Sequence, residues 1–288
     1  MPTEALLMVT AAALIHAAWN ALAKRGRDQL AFLWAAQSLA GVWLVPFALW
    51  RLRIDGLPAA GVPYVVVTIV LHAVYFYTLG TAYRHGEFSL VYPVARGLGV
   101  AVVPVLAFVA WGERLSPLGV AGVGLVVAGI VGLHVTGVGA ANLLGRLRAS
   151  GAGTGWALAT GLVIAAYSVN DKVGVAHVHP VVYITLMGFG VTLLLAPVVV
   201  RRRGALAREF ATNWPALLIA SGLTLTGYLL VLFAFRLSKT GYVVAAREMS
   251  IVLSVLIGRV GLGEETSWRR LAGAALVFVG VACVALAR

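Results

Sequence analysis

Three ionisable side chains, Arg96, Arg247 and Glu248, fall inside apolar runs long enough to cross a bilayer. At 1.5 Å per residue, Arg96 lies roughly 12 Å and Arg247 roughly 9 Å into its run. A charge at that depth costs about 2.5–3.5 kcal/mol on insertion scales, so it pairs, faces a cavity, or snorkels to the interface. Neighbouring helical residues point about 100° apart. Glu248 therefore need not pair with Arg247 and can answer Arg96 or Lys172 from another helix. Tyr92 stands one turn before Arg96 on the same face, and Pro93 between them lacks a backbone donor, which predicts a kinked, polar-lined segment.

Polar stripes run along otherwise apolar segments. His16, Trp19, Asn20 and Lys24 share one helical face, and a later segment carries Tyr167, Ser168, Asp171 and Lys172. Such a stripe either lines something polar or packs against another helix through hydrogen bonds. The two lysines read as interfacial anchors. His72, Tyr75, Leu79 and Tyr83 share a third face, while Tyr77 is matched by Tyr228 in an internal repeat. His72 either titrates near neutral pH or serves as a neutral hydrogen-bonding group. Tyrosines in a cavity suit an amphipathic organic molecule, through apolar and cation–π contacts. The candidate binding set is thus His16, Trp19, Asn20, His72, Tyr75, Tyr77, Tyr92, Arg96, Tyr167, Ser168, Tyr228, Arg247 and Glu248.

Hydrolytic, zinc-protease and phosphate-loop motifs are absent, so the sequence predicts no catalytic residue, metal or cofactor. The lone Cys283 lies in an apolar run and supports no disulfide framework. The net charge of +12 sits singly or in small groups between apolar runs, the pattern of membrane-flanking loops rather than of a nucleic-acid-binding face.

What must position these residues is a membrane bundle. The 288 residues are 61% hydrophobic and 11% charged, with mean hydropathy +0.96, far from the composition of a soluble domain. A bilayer core needs about 20 apolar residues per helix, and ten such spans fit: 5–23, 30–50, 61–83, 88–111, 116–136, 155–174, 180–200, 213–235, 241–262 and 269–287. Each is about twice the length of a membrane β-strand and lacks its alternation, so the class is all-α.

A shift of 151 residues superimposes Gly122 on Gly273, Gly129 on Gly280, Arg96 on Arg247 and Glu113 on Glu264. The chain therefore divides into a first five-helix repeat, 1–137, a connection, 138–154, and a second repeat, 155–288. Five crossings per repeat force opposite orientations, and inverted repeats place a binding site near mid-bilayer between the halves. Basic residues number twelve on one side against seven on the other, which predicts a cytoplasmic location for the loops after odd-numbered helices and outward-facing termini. The fifth and tenth helices, with Gly124, Ala128 and Gly132 at four-residue spacing, read as scaffold or oligomer contact.

The stretches H-A-A-W-N at His16 to Asn20, Y-P-V-A-R at Tyr92 to Arg96, W-G-E-R-L at Trp111 to Leu115 and A-A-R-E-M-S at Ala245 to Ser250 carry a resemblance that spans the chain. The chain resembles the drug/metabolite transporter superfamily, in its ten-helix EamA branch, and is similar in character to amino-acid exporters of the YddG type. That resemblance implies a central cavity open alternately to each side. It further implies export of small metabolites such as aromatic or other apolar amino acids, a bacterial inner-membrane location, and a monomer or weak homodimer. The first helix departs from the small multidrug branch, whose proton coupling rests on a mid-helix glutamate, in having His16 and Asn20 but no acid at mid-helix. Two rival classes are a membrane-embedded enzyme acting on lipid-linked substrates and a non-transporting partner or sensor.

Overall fold

The computed structural model describes residues 1–23, 27–86, 88–134, 151–201, 203–256 and 267–287. Lys24, Arg25, Arg146, Arg148, Arg202, Glu264, Arg288 and most of the connection 138–154 lie outside the described residues. Twelve α-helices carry the description: α1 (Thr3–Ala23), α2 (Gln29–Trp43), α3 (Val45–Asp55), α4 (Val62–His85), α5 (Phe88–Trp111), α6 (Pro117–His134), α7 (Gly151–His177), α8 (Pro180–Val200), α9 (Arg203–Leu237), α10 (Thr240–Ala246), α11 (Met249–Leu256) and α12 (Trp268–Leu286). No strand occurs among the described residues.

By length and composition α4, α5, α7, α8, α9 and α12 can each cross a membrane. The pair α2 and α3, bent by 50°, makes a seventh when taken as one span, and the apolar parts of α1 and α6 are shorter. Helical residues occupy all ten expected spans, but two spans are interrupted. The first break lies at Leu44, where Pro46 opens α3. The second separates α10 from α11 at Arg247 and Glu248, where Glu248, Ser250 and Ile251 bond to carbonyls three residues back. Such bonds tighten the turn to 3₁₀ geometry.

Helix ends are set by local chemistry. The Asp28 carboxylate caps α2 by accepting from Ala31 N, and Ser267 caps α12 through Arg270 N. Gly56, at φ 68°, closes α3 in the left-handed region that glycine adopts without strain. α9 kinks at Asn213, where Pro215 two residues on lacks the backbone N–H that would continue the ladder, so residues 203–212 leave the helical line.

The helices meet in paired fashion. α6 packs most extensively on α12; α4 and α5 pack on α7; α1 packs on α9 and α11. α2 meets α9 and α4 meets α8, while α2 also meets α8. In the α6–α12 contact, a Cβ placed on Gly122 would stand 2.7 Å from Gly280 O, and one on Gly280 would stand 2.6 Å from Gly122 O. Gly129 and Gly273 repeat the arrangement at 2.7 and 3.1 Å. Backbone crosses backbone there, as small residues allow.

This corrects the expected stripe of Gly124, Ala128 and Gly132. Gly124 has nothing within 4 Å of an added Cβ, and Gly132 only reaches Gly273 Cα at 4.0 Å. The close face within the chain is Gly122 with Gly129. Gly129→Leu should therefore lower the unfolding temperature of the detergent-purified protein, by overpacking worth about 1–3 kcal/mol or more. Gly124→Leu should leave it nearly unchanged.

Candidate functional site

The ends of the bundle differ. On the face where α5 meets α6 and α9 meets α10, side chains tie helix termini together. The Glu113 carboxylate accepts from Thr240 N and Oγ1, both at 3.0 Å, and from Gly241 N at 3.3 Å, capping α10. Lys172 Nζ donates to Phe235 O and, at 2.8 Å, to Ser238 O, capping the end of α9. Lys172 thus binds a neighbouring helix rather than only anchoring its own. Asn170 Nδ2 donates to Tyr64 O at 2.9 Å and to Tyr183 Oη at 3.0 Å, joining α7, α4 and α8. On the opposite face a cavity of about 480 Å³ reaches Leu133, Val255 and Arg270, at the ends of α6, α11 and α12.

The cavity wall is aromatic at depth. The His72 ring lies 4.3 Å from Tyr167 and 5.5 Å from Tyr228 between centroids, and Tyr75 packs edge-on to Tyr167 at 5.7 Å. Edge-on and tilted contacts at these separations suit the ring quadrupoles. Tyr228 is held from behind, since its hydroxyl donates to Asp171 Oδ2 at 2.5 Å. Asp171 is fully buried, and its Oδ1 accepts from Tyr183 Oη at 2.7 Å and Asn170 Nδ2 at 3.3 Å. Toward the open face, Trp19 Nε1 donates to His16 Nδ1 at 3.1 Å, with the two rings perpendicular.

The charges separate by role at the break between α10 and α11. Glu248, 1% exposed, accepts from Arg96 through Nε at 3.3 Å and through Nη2, a two-pronged pair that crosses from α5. Arg247 points elsewhere. Its guanidinium lies 5.6 Å from the Tyr228 ring centre and lines the cavity, with no carboxylate in ion-pair reach among the described residues. The tight turn divides the neighbours, one neutralised in the wall and the other a cation at the cavity surface.

Of the candidates, His16, Trp19, His72, Tyr75, Tyr92, Arg96, Tyr167, Tyr228 and Arg247 line the cavity. Glu248 sits behind it, on Arg96. Tyr77 does not reach it: 51% exposed, it faces outward with its ring edge-on to Trp156 at 6.0 Å. Tyr75 and Tyr77 are two residues apart, about 200° around the helix, so both could not face one space. Ser168 is also outside the lining, its hydroxyl donating to Ile164 O at 2.7 Å. The side chain of Asn20 lies outside the described residues. Sequence reasoning left Asp171 out of the site, although its place on the Tyr167 stripe was a usable signal. Thr68, whose groups meet His72 Nδ1 at 3.0 Å, carried no signal.

The EamA-like transporter family matches residues 151–286, and the Small Multidrug Resistance protein family matches residues 56–126. The chain is thus a multi-pass helical membrane protein whose two family matches are both transporters. Among particular proteins, the quaternary ammonium compound-resistance protein QacE of Escherichia coli is 32% identical over 69 residues, 24% of this chain. The chain spans 63% of the length of that relative. A crystal structure of a protein at 18% identity shares the fold with TM-score 0.75, over 99% of this chain and 98% of the other.

Removing one member of the Arg96–Glu248 pair leaves a buried charge without its partner. Glu248→Gln should cost about 3–5 kcal/mol of stability, read by unfolding in detergent. The double variant Arg96→Met, Glu248→Leu should lose less than that single change.

Proposed function

We propose that the protein is a secondary transporter that moves small carboxylate-bearing metabolites, in particular aromatic or apolar amino acids, out of the bacterial cell across its inner membrane by alternating access. The observation that carries this reading is Arg247, a cation without an anionic partner among the described residues, set over an aromatic wall in a cavity open on one face. A carboxylate offered to Arg247 gains a charge-assisted hydrogen bond in a site of low dielectric. The rings of Tyr75, Tyr167, Tyr228 and His72 then enclose an apolar body. Arg96 is occupied by Glu248, so the carboxylate falls to Arg247.

The architecture we propose for this is ten crossings in two inverted five-helix halves, 1–137 and 155–288. Its support is that the helix contacts survive exchange of the halves. Under the 151-residue shift the α4–α7 contact becomes α9–α1, α2–α9 becomes α8–α4, and the Gly122–Gly280 crossing becomes Gly273–Gly129. The cavity opens toward the face with more basic residues, which is cytoplasmic under the positive-inside bias, so the structure corresponds to an inward-open state. The caps at Glu113 and Lys172 hold the other face shut. The small-molecule substrate and the lipid are the partners required, and the chain acts as a monomer or weak homodimer.

Export of quaternary ammonium cations, suggested by the name of QacE, is opposed by the charges lining the cavity. Arg247 and Arg270 are cations at its surface, and the acid beside them is held by Arg96. Membrane-embedded catalysis is not favoured by the two family matches, which are both to transporters.

In proteoliposomes, counterflow of L-phenylalanine should fall at least about tenfold in Arg247→Gln, the equivalent of about 1.4 kcal/mol. Unchanged counterflow in that variant contradicts the assignment. Separately, Lys172→Met should loosen the shut face, making a cysteine placed at Tyr75 react faster with a membrane-impermeant thiol reagent added from that side.

A further inference from the structure

We infer that His72 is the residue that selects substrates carrying an ammonium group beside the carboxylate, which the imidazole receives at its Nε2. This rests on the reading of the cavity as a carboxylate site at Arg247. Nδ1 of His72 lies 3.0 Å from the Thr68 carbonyl oxygen and 3.0 Å from Thr68 Oγ1. A carbonyl only accepts, so Nδ1 carries the hydrogen, and the neutral ring presents Nε2 as a bare acceptor. Nε2 has no partner among the described residues and is not among their buried unsatisfied atoms, so it is open at the cavity wall.

The surroundings favour a cationic donor there. His72 packs tilted against Tyr167 and stands edge-on to Tyr228, whose hydroxyl is bonded to the buried Asp171 carboxylate. Asp171 therefore adds negative potential behind the wall that His72 faces. Arg247 stands on the same Tyr228 ring, 5.6 Å from its centre, against 5.5 Å for the imidazole. One aromatic ring thus carries a strong donor for a carboxylate and an acceptor for an ammonium, the two charged ends of an α-amino acid. A site that offers a buried acceptor also discriminates against a ligand lacking the donor, because the acceptor then goes unmet.

The test compares two probes, L-phenylalanine and 3-phenylpropionate, which share ring and carboxylate and differ in the ammonium group. Affinity is measured by titration calorimetry on the purified full chain. The wild type should favour L-phenylalanine by about tenfold or more. His72→Phe, which keeps a ring against Tyr167, should bring the ratio of the two affinities close to one, and His72→Gln, which returns an acceptor, should restore part of it. Equal binding of both probes by the wild type, or a ratio that His72→Phe leaves intact, overturns the role of His72 while leaving the carboxylate site standing. Failure of the wild type to bind either probe overturns both.

Discussion

A charge inside a bilayer must be answered, and the arrangement of this molecule follows from how two arginines are. Arg96 is answered within the protein by Glu248, at the break between α10 and α11. Isolated, either ion would bear a large desolvation penalty; together, with two hydrogen bonds between them, they form a wall of nearly neutral charge. Among the described residues Arg247 is answered by the face of Tyr228, a weaker partner that leaves its donors available. Under a 151-residue shift of the sequence Arg96 falls on Arg247, while Gly97 falls on Glu248, the acid that holds Arg96.

The remainder of the structure holds that difference in place. A break between α10 and α11 lets adjacent residues serve opposite purposes, which a continuous helix would do less sharply. Discontinuous helices near the middle of a bilayer are tolerated where they line a cavity, because their backbone groups find partners there. Behind the wall, Asp171 accepts from Tyr228, Tyr183 and Asn170, and Asn170 also reaches the Tyr64 carbonyl near the face capped by Glu113 and Lys172. Movement of the cavity wall and loosening of that face therefore act on one buried carboxylate.

Much of the helical layout was legible in the sequence, because apolar runs of about 20 residues have few alternatives in lipid. The breaks were less so. Pro46 gave a sign of the first, whereas the tight turn at Arg247 involves neither proline nor glycine. Rotation about each helix was the harder quantity. Tyr77 entered the site through its repeat partner Tyr228, yet a repeat equates positions in sequence rather than environments, and Tyr77 faces outward. The glycine contact illustrates the same limit, since Gly124 and Gly122 are both plausible from spacing and the fold uses Gly122. Asp171 was visible on its stripe, but a carboxylate that supports a tyrosine cannot be told from sequence from one that meets a ligand.

A structure of the protein with L-phenylalanine bound tests the central claim most directly. The account predicts the ligand carboxylate within hydrogen-bond distance of the Arg247 guanidinium, with the Arg96–Glu248 pair intact. A carboxylate seated on Arg96 with Glu248 displaced, or a ligand outside the cavity, would contradict it.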